Sequence, residues 1–274
     1  AREPLVSCAL ACQVAAWVGE VRFMSLFRSI AFAALAVAGF GTSSSAHAQS
    51  ALYVDPESTT LDAVERLDGQ ARRDALALGA VSSATWFTHG TPAEVESKVA
   101  RLVEAAAARN EMPVLVAYNI PGRDCALYSS GGAKGTDDYL AWIEGFAAGI
   151  GEHPALVVIE PDSLGIIPWY RTLDGELENC RPKGGEDGEA ADERFTQLSA
   201  AVETFSALPN ARIYLDGTGS GWLAPGEAAS RLIRANVARA DGYFLNVSNF
   251  ESDARLLHYA RWISDCLALV TADK

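Results

Sequence analysis

The sequence predicts an α/β protein, a TIM-like β/α barrel that is incomplete in this chain, and three observations lead there. First, short apolar runs alternate with amphipathic helical stretches, the pattern of parallel βα units. Second, four of those runs end at a polar residue able to do chemistry. Val114 to Tyr118 leads to Arg123-Asp124-Cys125 and Leu156 to Ile159 to Glu160-Pro161-Asp162, while Arg212 to Leu215 ends at Asp216 and Gly242 to Leu245 at Asn246. In a β/α barrel the strand ends converge on one face, where the active site sits. Third, only about five strand–helix units can be read, whereas a closed barrel takes about eight in roughly 250 residues. Five strands would leave two bare edges, so the chain is expected to be cut short.

Taken in order, residues 1–23 read as a spurious extension and 24–48 as a secretory signal. After Met24 come Arg28 as a short basic start, an apolar stretch from Ile30 to Phe40, and Ala46-His47-Ala48 matching the A-x-A cleavage pattern. That apolar stretch is too short to span a bilayer. Ala51 to Pro56 is an extended lead-in, followed by a helix over 60–78 stopped by Gly79. Thr85 to Thr88 is a short strand carrying Trp86. Thr91-Pro92-Ala93-Glu94 opens the next helix, with Thr as N-cap, Pro in the first turn and Glu three after the cap. Val95, Val99, Leu102 and Val103 give that helix one apolar face. Pro113 precedes the strand ending at Tyr118, and Thr136 caps a helix bearing Tyr139, Trp142, Ile143 and Phe146. The strand over 155–159 follows. Helices near 192–207, 225–239 and 253–270 then alternate with strands over 212–215 and 242–246. The exception is 174–193, rich in Gly and acids and containing Cys180. A long loop inside a compact domain is a functional lid or an insertion.

The net charge of −13 with no Lys/Arg cluster argues against nucleic acid and anionic membranes as partners. A neutral polymer is compatible with it. In the mature part, 49–274, three cysteines remain: Cys125, Cys180 and Cys266. Export permits disulfides, while three buried thiols are the alternative. A partner for Cys266 is expected beyond Lys274.

Asp162 and Asp124 stand at the ends of adjacent strands. Inverting glycoside hydrolysis needs a carboxylic acid that protonates the leaving oxygen and a base that activates water. The acid must keep its proton near neutral pH, through burial or a second carboxylate nearby. Asp124 can supply that neighbour; the bland alternative for either residue is a helix N-cap. Trp86 and Trp222 can stack on sugar rings or pack the core. Tyr118 can bind the reacting sugar or pack. Gly217-Thr218-Gly219-Ser220-Gly221 lacks the Lys-Ser/Thr of a phosphate loop. No cofactor or metal is expected, since no His/Cys cluster has ligand spacing.

The segments Tyr118-Asn119-Ile120-Pro121-Gly122-Arg123-Asp124-Cys125, Val158-Ile159-Glu160-Pro161-Asp162-Ser163-Leu164 and Tyr214-Leu215-Asp216 followed by Gly221-Trp222 resemble glycoside hydrolase family 6, the inverting cellulases. The resemblance runs from about Leu52 to the end of the chain. It implies a distorted β/α barrel and a β-1,4-glucan partner, with 49–274 as the N-terminal part of a catalytic domain that the signal makes secreted, and a monomer is expected. It implies that Asp162 is the general acid and Asp124 the aspartate supporting its protonation. Tyr118 then lies at the reacting sugar, Trp86 and Trp222 are stacking platforms, and Asp216 and Asn246 are active-site residues that bind substrate. Cys125 and Cys180 form a disulfide. Two departures accompany it. Gly219 stands where the family usually carries His, and the family's C-terminal part, with its Asp in a Pro-Gly-Glu-rich motif as the debated base, is absent. The alternative from another class is a non-catalytic secreted glucan-binding protein on the same fold.

Overall fold

The computed structural model describes residues 51–183 and 188–272. The extension and signal expected over 1–48 lie outside the described residues, as does the acidic stretch from Gly184 to Asp187.

The expected helix over 60–78 is two helices, α1 (Thr59–Val64) and α2 (Gly69–Gly79). Asp68 is extended and Gly69 sits at φ +56, so the chain turns between them and the periodic run is broken. Strand β1 (Thr85–Phe87) precedes α3 (Pro92–Ala107). The capping box forms: Glu94 N–H donates to the Thr91 hydroxyl oxygen, and Thr91 N–H to the Glu94 carboxylate at 2.7 Å. Val95, Val99 and Val103 of α3 are buried, each contributing roughly 1.5–3 kcal/mol of burial. Then come β2 (Val114–Ala117), α4 (Thr136–Ile150), β3 (Ala155–Ile159), α5 (Glu189–Ser206) and β4 (Ala211–Asp216). The helix expected over 225–239 stops early, as α6 (Pro225–Arg234). Left-handed Asn236, at φ +68, separates it from a 3₁₀ turn at Val237–Arg239. Strand β5 (Gly242–Phe244) and α7 (Asp253–Ala272) are the last of the described elements.

The five strands pair in sequence order, β1-β2-β3-β4-β5, all parallel. This is the α/β arrangement of a distorted β/α barrel, and among the described residues the sheet does not close. Alternation along the strands sorts the two faces. Leu115, Ala117, Val157, Ile159, Ile213 and Leu215 enter the main core with the buried sides of α3, α4 and α5. On the other face Val116, Tyr118 and Val158 form a small cluster with Val247 and Leu156. The register sets Trp86 beside Val116, Val116 beside Val158, and Val158 beside Tyr214. The expected loop over 174–193 is in part regular. A β-bridge joins Arg171 to Leu177, and from Glu189 the chain is helical.

Candidate active site

The strand ends deliver the polar residues to one edge of the sheet, and the backbone there is unusual. Glu160 and Asp162 lie at φ +47 and +65, either side of Pro161, which offers no N–H to continue the ladder. Past β2, Asp124, Cys125 and Ala126 are left-handed in succession, at φ +55, +49 and +62. Such conformations cost of order 1 kcal/mol or more each for non-glycine residues and persist only where the surroundings hold them.

What holds the second turn is Arg123 and a disulfide. The Arg123 guanidinium donates to the carbonyls of Thr88, Tyr118, Ser129 and Ser130, at 2.6–3.2 Å, and lies 4.5 Å over the Tyr118 ring. It thereby ties the ends of β1 and β2 to the loop after Asp124. Cys125 is bonded to Cys180, the pairing the family resemblance implies. The segment carrying Cys180 is fixed in turn. Glu178 and Glu227 both pair with fully buried Arg231, and Leu173 N–H donates to Glu227 at 2.8 Å. The described part of the 174–193 loop is therefore pinned to α6.

The first turn is held from beneath by Glu160, which is fully buried. Its carboxylate accepts the N–H groups of Asn119 and Ile120 at 3.0 Å. Burial outweighs those bonds and pushes its pKa up to about 7. Arg194, also buried, donates to the carbonyls of Pro121, Ser163 and Ile166. This pair stitches the segment leading to Asp124 to the segment bearing Asp162.

Asp162 is half-buried, and its carboxylate accepts the Ser248 hydroxyl at 2.8 and 2.9 Å. Burial raises its pKa, the Ser248 hydrogen bond opposes that, and the charge of Asp124 adds to the rise. Its own N–H donates to Asp216 at 2.7 Å. Asp124 accepts the N–H of Ser129 at 2.7 Å. Asp216 is buried beneath Asp162 and also takes Thr218 N–H at 3.2 Å. Burial first, then the charge of Asp162, lifts its pKa to about 7 against those two N–H bonds. The Tyr118 hydroxyl is raised to about 12 by burial and by Asp162. Its ring meets Trp86 edge-on with centroids 5.4 Å apart.

Trp86 and Trp222 are each 39% exposed, so both offer indole surface to solvent. Trp222 lies against Gly165, three residues past Asp162; a Cβ there would stand 2.6 Å from the indole. Asn246, at φ +65, holds both the N–H and the carbonyl of Glu251 with its side chain. The sequence reading mentioned neither Ser248 nor Arg194, and it named Arg123 and Glu160 only as members of the strand-end segments, with no role of their own. Ser248 had a signal, standing two residues beyond the strand-end Asn246. Among the described residues, no group of His, Cys, Asp and Glu is arranged to hold a metal ion. No described helix is long and apolar enough to cross a membrane.

A carboxyl group with a raised pKa, a second carboxylate within electrostatic reach and flanking indole faces can deliver a proton to an oxygen of a bound sugar chain. The sequence profile of the glycosyl hydrolases family 6 matches residues 47–268. Endoglucanase A of Thermobispora bispora is 35% identical over 231 residues, 82% of this chain and 47% of that one. Endoglucanase 1 of Streptomyces halstedii is 33% identical over 220 residues, 79% of this chain and 63% of its own. The chain thus spans about half the length of the curated relatives it matches. Among solved structures, the endoglucanase Cel6 of Mycobacterium tuberculosis superposes with a TM-score of 0.70 at 34% identity, covering 80% of this chain and 70% of that one. That structure is a complex with methyl-cellobiosyl-4-deoxy-4-thio-β-D-cellobioside.

Proposed function

The chain belongs to the glycosyl hydrolases family 6, and on that premise we propose that it hydrolyses β-1,4-glucosidic bonds in cellulose or a related β-glucan, with inversion and with Asp162 as general acid. The observation that carries this reading is the half-buried Asp162 carboxyl. Burial and the charge of Asp124 both favour its protonated form. In the proposed reaction the Asp162 proton passes to the glycosidic oxygen as the bond from that oxygen to C1 breaks. Water adds to C1 from the opposite face and gives its proton to a base. Asp124 keeps the acid protonated until the linkage arrives, and the positive charge developing on the sugar is stabilised by the carboxylates around it.

Trp86 and Trp222 stack on sugar rings to either side of the scissile bond, and Tyr118 contacts the reacting sugar. The exposed indole faces support the first assignment. The thio-linked cello-oligosaccharide in the Mycobacterium tuberculosis relative supports a β-glucan as ligand. Asp216 and Asn246 act on the substrate through Asp162 and through the loop bearing Ser248, by the hydrogen bonds described above. The Cys125–Cys180 bond fits a protein that works outside the cell, and the proposed form is a monomer.

The test is hydrolysis of carboxymethylcellulose or acid-swollen cellulose by the full-length gene product, with the anomer of the new chain end read by NMR. An α-anomer is expected, and Asp162→Asn should lower kcat by about 10²–10⁴-fold. A fully active Asp162→Asn removes that residue from the acid role, and a β-anomer rules out inversion.

A further inference from the structure

We infer that Ser248 is a positioning residue for Asp162: its hydroxyl holds the conjugate base of the acid, and a loop packed on two glycines delivers it there. The inference rests on the proposed role of Asp162 and assigns Ser248 a part in the same step.

The loop runs from Asn246 to Glu251, just past β5. Asn246 N–H donates to the Thr218 carbonyl at 2.9 Å, which fixes the start of the loop to the chain beyond β4. The Asn246 side chain closes it, accepting Glu251 N–H at 2.9 Å and donating to the Glu251 carbonyl at 3.3 Å. Ser248 stands near the apex. The loop lies directly against the glycine run that fails as a phosphate loop. A Cβ at position 219 would sit 3.2 Å from Asn249 Cβ, and one at position 221 would sit 2.4 Å from the Glu251 carboxylate. The two segments are thus in close approach: a side chain at 219 would crowd Asn249, and one at 221 would displace the end of the Glu251 side chain. The space that a larger residue at 219 would take is filled by Asn249, on the loop that carries Ser248.

At the apex the Ser248 oxygen is 2.8 Å from one Asp162 oxygen and 2.9 Å from the other. A serine hydroxyl has a single proton to give, and here it is shared between two acceptors. That geometry suits a carboxylate whose two oxygens are equivalent, the form left once the proton has gone to the glycosidic oxygen. The other groups facing Asp162 do the opposite. Asp124 from the turn after β2 and Asp216 from the end of β4 are acidic, and Tyr118 from the end of β2 is a phenol held neutral. Ser248 is thus the donor that offsets burial and like charge, making Asp162 a stronger acid than its pocket alone would allow. When substrate and proton are both present, the hydroxyl gives up one oxygen and the carboxyl turns it toward the leaving group.

The experiment titrates the Asp162 carboxyl by ¹³C NMR in the chain labelled at aspartate, with Asp162→Asn identifying the resonance. Ser248→Ala should move the midpoint to higher pH, and Ser248→Thr, which keeps the hydroxyl, should restore it. In hydrolysis the alkaline limb of the kcat/KM profile should move the same way in Ser248→Ala. Cello-oligosaccharide affinity, read by tryptophan fluorescence, should stay at the wild-type value. A midpoint that does not move in Ser248→Ala overturns the inference. Absence of hydrolysis by the wild type overturns the proposed function instead, and the titration still decides the role of Ser248. Ser248 is exposed, so the substitution opens no core cavity.

Discussion

The backbone N–H of Asp162 points down into the sheet, where the buried carboxylate of Asp216 accepts it at 2.7 Å. One aspartate therefore holds the main chain of another, 54 residues away in sequence, and leaves the upper carboxyl free for Ser248 and a substrate. Asp216→Ala should leave that N–H and the Thr218 N–H without their acceptor. A loss of about 1–3 kcal/mol in unfolding free energy is expected, with a fall in kcat that exceeds any rise in KM. Asp216→Asn keeps one acceptor and should recover part of both. A wild-type kcat in Asp216→Ala would separate Asp162's placement from this contact.

Two buried carboxyls make stability depend on pH with a definite sign. Glu160 and Asp216 are each raised to about 7 by burial, whereas in the unfolded chain they titrate near the usual carboxylate range. The folded protein holds these protons more tightly than the unfolded one. Stability is therefore greatest below the unfolded pKa and is lost as pH rises through about 7. Thermal midpoints measured from mildly acidic to mildly alkaline buffer should fall, and Asp216→Asn should flatten the fall. A midpoint rising across that window would mean that other groups dominate.

Much of this fold could be read from residues in order, and the limits of that reading are local. The Val- and Ile-rich runs and the Thr91 capping box specify their elements without help from the rest of the chain. The break at Gly69 carries a signal, the Asp68-Gly69 pair, that a single helix over 60–78 passes over, and Asn236 is a residue type that takes the left-handed φ found after α6. In the site, Asp124 and Asp162 were legible because both sit just past strand runs. Arg123 and Arg194 act through backbone carbonyls brought near by the sheet, which no spacing along the chain encodes, and for Ser248 the chain shows its place two residues past Asn246 but not the carboxylate it meets. The glycines at 219 and 221 were visible, and the sequence reading rejected them as a phosphate loop without finding their structural setting. They lie against the loop that arrives from beyond β5.

Arg123 links the ends of β1 and β2 to the loop after Asp124 through carbonyl contacts that a point charge cannot reproduce. Arg123→Lys should therefore behave nearly as badly as Arg123→Ala. Each should lose about 1–3 kcal/mol of stability. Activity should drop through kcat, since Tyr118 and Asp124 both lose their support. Full rescue by Lys would show that charge alone matters at this position.

The Cys125–Cys180 bond joins residues 55 apart, and in the chain-entropy treatment closing such a loop is worth roughly 4 kcal/mol. The pinning of Glu178 by Arg231 means the Cys180 side stays in place when the bond is cut. The left-handed turn at Asp124 to Ala126 is then the part that relaxes. Cys125→Ser with Cys180→Ser should lower the thermal midpoint and shift the alkaline limb of the pH profile toward lower pH, because Asp124 no longer stands where its charge favours protonated Asp162. A double variant with an unchanged limb would confine the bond to a stabilising role.

Gly165 offers the sharpest probe of Trp222. The indole rests on the glycine so closely that a methyl group would meet three of its ring atoms at 2.6–2.9 Å. A backbone φ outside the left-handed region makes alanine conformationally acceptable there, so the clash is with the ring alone. Gly165→Ala should push Trp222 off its seat while leaving Asp162 and its partners bonded. If Trp222 is a stacking platform, cello-oligosaccharide binding should weaken by on the order of 1 kcal/mol, about fivefold in Kd. Trp222→Ala should show a similar loss, and the double variant little more than either alone, since both remove one contact. Losses that simply add would mean that Gly165 affects binding by some route other than the indole, and an affinity unchanged in all three would assign Trp222 to packing.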